Sequence, residues 1–257
     1  MNTEQSAEAA RDKIRLNKFI AASGYTSRRK ADDLIASGAV AVNGVIVNKM
    51  GISINPKVDK VMIGMVKIDG MPEKVYYLLN KPKGYICANE TQHEDKLVTE
   101  LLPDMRLSTV GRLDKNTEGL LIVTNDGDFL HKIAHPSNKC EKEYEIRINK
   151  ITKKEDIDKL KNGIEIEVER IQTDRKTSEK YIAKAKKVET IKNDGKPTII
   201  HITIEEGRKR QIRLMMERIG YKYMDLKRIR IGSIKLGNLK TGTYRSLTQD
   251  EINSLLH

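Results

Sequence analysis

Apolar residues recur at helical spacing near the front of the chain, and two elements follow from them. Leu16, Phe19 and Ile20 stand at i, i+3 and i+4, on one face of a helix. Gly24 is placed to end it. Ser27 can cap a second helix, in which Ala31, Leu34 and Ile35 repeat the spacing and after which Gly38 gives a stop. Next comes AVAVNGVIVNKMG, with apolar residues alternating around Asn43-Gly44, a strong hairpin signal. The front of the chain therefore reads as helix-helix-hairpin.

Beyond it the pattern changes to short strands. Residues 58–73 read as short strands and a linker, with a boundary near Met71-Pro72. KVYYLLN is a strand leading to the turn Lys81-Pro82-Lys83-Gly84, and LLIVT is a short apolar run of the kind found in buried strands. YEIRI and TIIHITI alternate as strands do. KKEDIDKLKNG predicts a helix with Ile157 and Leu160 inward and Gly163 at its end. RKRQIRLMMERIG predicts another, with Ile212, Met216 and Ile219 inward, and Thr248 with Glu251 forms a capping box for a last helix. Strands outnumber helices and do not alternate with them. The expected fold class is α+β with a mostly antiparallel mixed sheet. The expected organisation is a mobile polar tail at 1–13, a small module at 14–61, a linker at 62–73 and a large domain at 74–257.

Charge sharpens this reading. Lys and Arg number 48 against 36 Asp and Glu in 257 residues, a net charge of +12. That balance favours an anionic partner, with nucleic acid first. Arg28, Arg29 and Lys30 occupy the first turn of the second predicted helix, where cations face the positive end of the helix dipole at a cost of roughly 0.3–1 kcal/mol each. A phosphate at that helix end would reverse the sign. Cys87 and Cys140 form no metal or redox spacing and read as idle thiols of a reducing compartment. The start MNTEQSAEAARD lacks the apolar core of a signal peptide, and no apolar run approaches the ~20 residues of a membrane span. The expected location is the cytoplasm, with no membrane partner.

One stretch, GRLDKNTEGLLIVTNDGDF at 111–129, holds the four acids Asp114, Glu118, Asp126 and Asp128. A calcium loop centred on Gly127 would need acids where Ile122 and Ile133 stand, so Asn125-Asp126-Gly127-Asp128 reads as a polar turn after a strand. His131 and His135 are spaced i, i+4, but Lys132 stands where the helical zinc motif needs Glu. No Gly-rich loop followed by Lys-Ser/Thr is present. No metal or cofactor is expected. Asp114 lies two residues from Arg112, between a glycine and an apolar strand; an oriented nucleophile or base would fit there, but spacing alone favours a structural ion pair.

Two resemblances decide between these readings. RLNKFIAASGYTSRRKADDLIASGAVAVNG resembles the alpha-L RNA-binding motif shared with ribosomal protein S-four. By that likeness Arg28, Arg29 and Lys30 would contact structured RNA. VGRLDKNTEGLLIVTNDG resembles the active-site motif of the RsuA/RluB family of ribosomal RNA pseudouridine synthases. LLNKPKG at 78–84, CEKEYEI at 140–146, EEGRKRQIR at 205–213 and LKRIRIGSIKLGNL at 226–239 agree with it in order. The family isomerises a uridine within RNA without cofactor or metal. The resemblance implies that Asp114 does the chemistry and that Glu118, Asp126 and Asp128 do not. It further implies that Arg112 helps hold the RNA open, Tyr144 packs on the target base, Arg213 pairs with Asp114, and Leu226 lines the base pocket. Arg208, Lys209 and Arg210 would bind RNA beside them. Leu214 departs from the pattern, standing where many relatives carry a second Arg. The implied partner is ribosomal RNA, free or in a pre-ribosomal particle, with 16S favoured over 23S, and the protein is expected to be a monomer. The competing reading is a non-catalytic assembly factor that binds the same RNA.

Overall fold

A computed structural model of the chain describes residues 13–88, 90, 94–172, 175–193 and 197–256; the tail expected at 1–13 lies, but for Lys13, outside them. Two compact units meet at Val75 and Tyr76.

In the front unit β1 (Ile14–Arg15) runs into α1 (Leu16–Ala22), and α2 (Arg28–Ala36) follows. The Ser27 Oγ accepts from the Lys30 N–H at 3.2 Å and so caps α2. β2 (Val40–Val42) and β3 (Val45–Val47) form the expected hairpin, with Asn43 at φ 53° and Gly44 at φ 83°, both left-handed as its tight turn requires. β4 (Ser53–Ile54) pairs with β1, while β5 (Val61–Ile63) and β6 (Val66–Ile68) widen the hairpin into a four-stranded sheet, order β3-β2-β5-β6. The segment 62–73, expected as a linker, thus contains a strand of this unit. Ile63 and Ile68 are the reason: both are buried in one core with Leu16, Phe19, Ile20 and Ile35.

The second unit is built on one nine-stranded sheet. Its elements in order are β7 (Tyr76–Lys81), β8 (Tyr85–Ile86), β9 (Lys96–Leu97), β10 (Ser108–Thr109), β11 (Glu118–Thr124), α3 (Gly127–Ala134), β12 (Lys142–Ile148), α4 (Lys154–Asn162), β13 (Ile164–Gln172), β14 (Arg175–Ala183), β15 (Lys187–Lys192), β16 (Thr198–Ile204), α5 (Gln211–Arg218), β17 (Tyr223–Ile231), β18 (Ile234–Lys235), β19 (Tyr244–Ser246) and α6 (Gln249–Leu256). The sheet order is β15-β16-β12-β17-β11-β7-β19, with β10 on β11 and β18 on β17. Its neighbours are antiparallel except β11 and β17, which run parallel, so the sheet is mixed and mostly antiparallel as expected. β13 and β14 form a separate hairpin. Leu78, Leu120, Ile122, Phe129, Ile133 and Ile252 share the core beneath one face. Among the described residues no helix is long and apolar enough to cross a membrane.

Three local readings change. The polar Asn125–Asp128 stretch opens α3: Asp126 caps it, its Oδ1 accepting from the Asp128 and Phe129 N–H groups at 3.0 and 3.2 Å. The helix predicted over 208–220 begins only at Gln211, because Arg210 is left-handed at φ 56°. It buries Met215 with Ile212 and Met216, while Ile219 is a half-buried cap.

Candidate active site

The site begins with a buried lysine. Lys81 ends β7 with no exposed surface, and its ammonium donates to the carbonyls of Pro82 and Thr117 at 2.9 Å, Asp114 at 3.2 Å and Lys115 at 3.4 Å. It therefore ties down the whole 114–117 turn that leads into β11. Burial lowers its pKa to about 8. Within the turn the Thr117 N–H donates to the Asp114 carbonyl at 3.0 Å.

The Asp114 carboxylate stands half-exposed above this turn. Arg213, on the first turns of α5, reaches it with Nε 3.4 Å from Oδ2, while the Arg213 Nη2 donates to the Thr117 Oγ1 at 2.9 Å. Arg213 keeps only 9 % of its side chain exposed against 41 % for Asp114, so the cation is fixed and the carboxylate faces open space. Alternation on the paired strands supplies the opposite wall. Tyr144 on β12 lies directly across from Arg228 on β17, and Leu226 lies two residues before Arg228 on the same face. Tyr144 and Leu226 are both buried.

These groups line one cavity of about 600 Å³, together with Arg112, Arg208, Lys209 and Arg210. All eight residues that the sequence assigned to the large domain's site are thus brought together. Arg112 is exposed at the rim. The three basic residues before α5 are tempered by acids: Arg208 lies 3.3 Å from Glu179, Lys209 3.7 Å from Glu169 and Arg210 3.9 Å from Glu217. Arg208 also stacks over the Tyr181 ring at 3.7 Å. Leu214 borders a second cavity, whose lining mixes the acids Glu165, Glu167, Glu169 and Glu217 with the cations Lys180, Lys209, Arg210 and Arg218. Arg28, Arg29 and Lys30 belong to the other unit, where all three are exposed on the first turn of α2.

The remaining acids of the 111–129 stretch are elsewhere. Glu118 opens β11 opposite Lys227. Asp126 is spent on its cap and on the Tyr76 hydroxyl, which donates to Oδ2 at 2.8 Å; burial and that carboxylate raise the tyrosine to about 12. Asp128 is exposed in the first turn of α3. The rings of His131 and His135 lie 5.1 Å apart, and among the described residues no three side chains of metal-binding type converge. Cys87 and Cys140 are both free thiols. Cys87 lines the cavity, where its Sγ accepts from the Leu113 N–H at 3.4 Å and burial pushes its pKa up.

Sequence reasoning missed three cations of the site. Lys142 on β12 and Arg228 on β17 line the cavity, and Lys81 lies buried under the turn that carries Asp114. Lys142 donates to the Cys140 carbonyl at 2.8 Å, and its pKa is lowered by burial first and by the Arg228 charge as well. Lys81 did stand in the quoted LLNKPKG block and Arg228 in LKRIRIG, but nothing in those strings tells a buried cation from a solvated one.

The sequence profile described as RNA pseudouridylate synthase matches residues 75–218, more than half of the chain, and the S4 domain profile matches residues 14–56. The chain belongs to the RNA pseudouridine synthase family. It is 39 % identical over 243 residues to "Ribosomal large subunit pseudouridine synthase B" of Bacillus subtilis, covering 94 % of this chain and 95 % of that protein. It is 38 % identical over 249 residues to an RNA pseudouridine synthase of Aquifex aeolicus, covering 94 % and 93 %. A crystal structure of a pseudouridylate synthase superposes with a TM-score of 0.63 at 30 % identity, covering 94 % of this chain and 99 % of that one. This synthase therefore carries its family's fold together with an N-terminal S4 domain, as RsuA/RluB-type enzymes do.

Proposed function

We propose that this synthase isomerises a uridine of ribosomal RNA to pseudouridine, with Asp114 as the residue that does the chemistry. The observation that carries the reading is the Asp114–Arg213 pair at 3.4 Å, facing a cavity walled by Tyr144 and Leu226. A base inside folded RNA must be extruded before it can react, and it then needs a π-face and an apolar wall. Tyr144 and Leu226 supply both. Arg213 holds the carboxylate in its orientation, Arg112 at the rim contacts the opened RNA, and Arg208, Lys209 and Arg210 bind phosphates beside it. The reaction breaks the bond from N1 to C1′, turns the base and joins C5 to C1′. Atoms are conserved apart from the exchange of one proton from C5 for one on N1.

Arg28, Arg29 and Lys30 on the S4 domain would add phosphate contacts at the start of α2, where all three are exposed in the first turn. The enzyme would act as a monomer in the cytoplasm, where the RNA is.

For the target, the short sequence blocks favour 16S rRNA. Two relatives have names that specify a subunit, the Bacillus subtilis enzyme and a putative chloroplastic one of Arabidopsis thaliana, and both names say large subunit. Identity over 94 % of the chain outweighs the short blocks, so we favour one uridine of 23S rRNA. The test is to delete the gene and map pseudouridines in both rRNAs by carbodiimide-dependent reverse-transcription stops. Loss of one stop in 23S rRNA, restored by the wild-type gene and not by Asp114→Asn, is the expected result. Loss only in 16S rRNA would return the target to the small subunit. No lost stop in either would overturn the rRNA substrate.

A further inference from the structure

Arg228 presents an electrostatic problem that the roles above leave unsolved. Its side chain is 1 % exposed, in the middle of the sheet. Its Nε donates to the Leu120 carbonyl at 2.7 Å, but its buried Nη2 has no acceptor. Two other arginines of this region are paired with carboxylates: Arg213 with Asp114, and Arg230 with Glu141 and Glu143. No carboxylate pairs with Arg228 among the described residues. Its charged neighbour in the cavity is Lys142, another cation. A buried guanidinium without a counter-charge costs several kcal/mol, and arginine cannot escape by losing its proton. Stability alone would favour an apolar residue here.

The position of the group suggests what it serves. Arg228 lies on the cavity-facing side of β17, two residues from Leu226 and opposite Tyr144, and its Cζ is 6.0 Å from the Tyr144 ring centroid. The wall thus has an aromatic face, an aliphatic face and, at its back, a guanidinium with a donor to spare. A flat ring with carbonyl oxygens on its edge fits that set.

We propose that Arg228 is a base-binding residue that donates a hydrogen bond to one carbonyl oxygen of the extruded uracil and bears the charge the base gains during reaction. This rests on the pseudouridylation reading above. When the bond from N1 to C1′ breaks, its electron pair stays with the base, and the negative charge spreads over N1, O2 and O4. When C5 bonds to C1′, the C5 proton leaves and N1 takes one up, so nothing is oxidised or reduced. A fixed cation at one carbonyl is strengthened where that charge is largest, which is how a preorganised donor favours the transition state. The Leu120 carbonyl holds the guanidinium plane in place beforehand.

The test uses full-length protein and an rRNA fragment holding the mapped uridine, with that nucleotide replaced in turn by 2-thiouridine and 4-thiouridine. Sulfur is a poor acceptor, so one of the two should slow single-turnover conversion by wild type. Arg228→Ala should lower the rate on the unmodified RNA by about 10²–10³-fold, as loss of an oxyanion donor does, with RNA binding unchanged. The same thio substitution should then slow the variant no further. A merely structural arginine predicts an undiminished thio effect in the variant, and that result overturns the proposal. So does a wild type indifferent to both sulfurs. If Arg228→Ala fails to fold, Arg228→Lys takes its place under the same criterion, a reduced thio effect supporting the proposal and an undiminished one refuting it. Failure of wild type to convert the unmodified fragment would instead overturn the assigned substrate.

Discussion

Replacing Lys81 by Met should separate catalysis from stability. The side chain's volume is nearly kept, but four carbonyls lose their shared donor. The two contacts at 2.9 Å, to Pro82 and Thr117, are the strong ones, and hydrogen bonds to a charged group contribute roughly 1.5–3 kcal/mol each. Against this stands the cost of burying the ammonium. Lowering its pKa from 10.5 to about 8 corresponds to roughly 3 kcal/mol at about 1.36 kcal/mol per tenfold change in proton affinity. The two effects largely cancel, so Lys81→Met should change unfolding free energy by about 0–3 kcal/mol. Catalysis has no such compensation. The released turn carries Asp114, and a displacement of about 1 Å at a reacting group costs about 10²-fold. Tritium release from uracil-labelled RNA under single turnover, beside urea unfolding, measures both. A folded variant with a rate within about threefold of wild type would refute the idea that Lys81 positions Asp114. The pH dependence has a definite sign. Folded Lys81 holds its proton more weakly than the unfolded chain does, so between about pH 8 and 10.5 the unfolded chain carries more protons. Raising pH through that window therefore stabilises the folded state through this group, a gain that Lys81→Met should abolish.

Asp114→Asn should abolish tritium release while leaving RNA affinity within about 1 kcal/mol of wild type, because the carboxylate is one side chain of a large contact; near-normal turnover would move the chemistry elsewhere. Changing Arg28, Arg29 and Lys30 together to Ala should flatten the salt dependence of RNA binding by roughly 0.7–0.9 in log–log slope per lost phosphate contact, and an unchanged slope would mean that these charges only face solvent. Gly119→Ala would place a Cβ 2.2 Å from the Arg228 carbonyl oxygen at a φ of 106°, so a loss of about 3 kcal/mol or more is expected in urea unfolding. Conversion should persist in excess EDTA when polyamine keeps the RNA folded, whereas restoration by one specific metal would contradict the absence of a metal step.

Legibility in the sequence followed the range of the interactions. The Leu16, Phe19 and Ile20 helix, the Ser27 cap and the Asn43-Gly44 turn are local devices, and each stands where spacing predicts. β13 had a signal that went unused, since Ile164, Ile166 and Val168 alternate and are buried. α3 was hidden because its cap residues also compose a good turn. The gathering of Asp114, Tyr144, Arg213 and Leu226 came from family resemblance, not from spacing, which favoured a plain ion pair for Asp114. Arg228 and Lys81 could not be read as interior. A cation in a strand usually faces water, and only the pairing of distant segments reverses that for these two.

The pairing of β11 with β17 also sets when the enzyme comes into being. β17 lies between the β7–β11 pair and the β12–β16 pair, so without it the sheet does not join the two halves. A growing chain could form both halves from their own antiparallel pairings while Asp114 and Tyr144 still belonged to separate halves. The seam then closes between residues more than a hundred positions apart, Arg228 reaching Leu120 across 108 of them, which makes it a slow, late event. Activity would therefore switch on in one step, after residues 223–231 have left the ribosome, rather than grow as the chain lengthens.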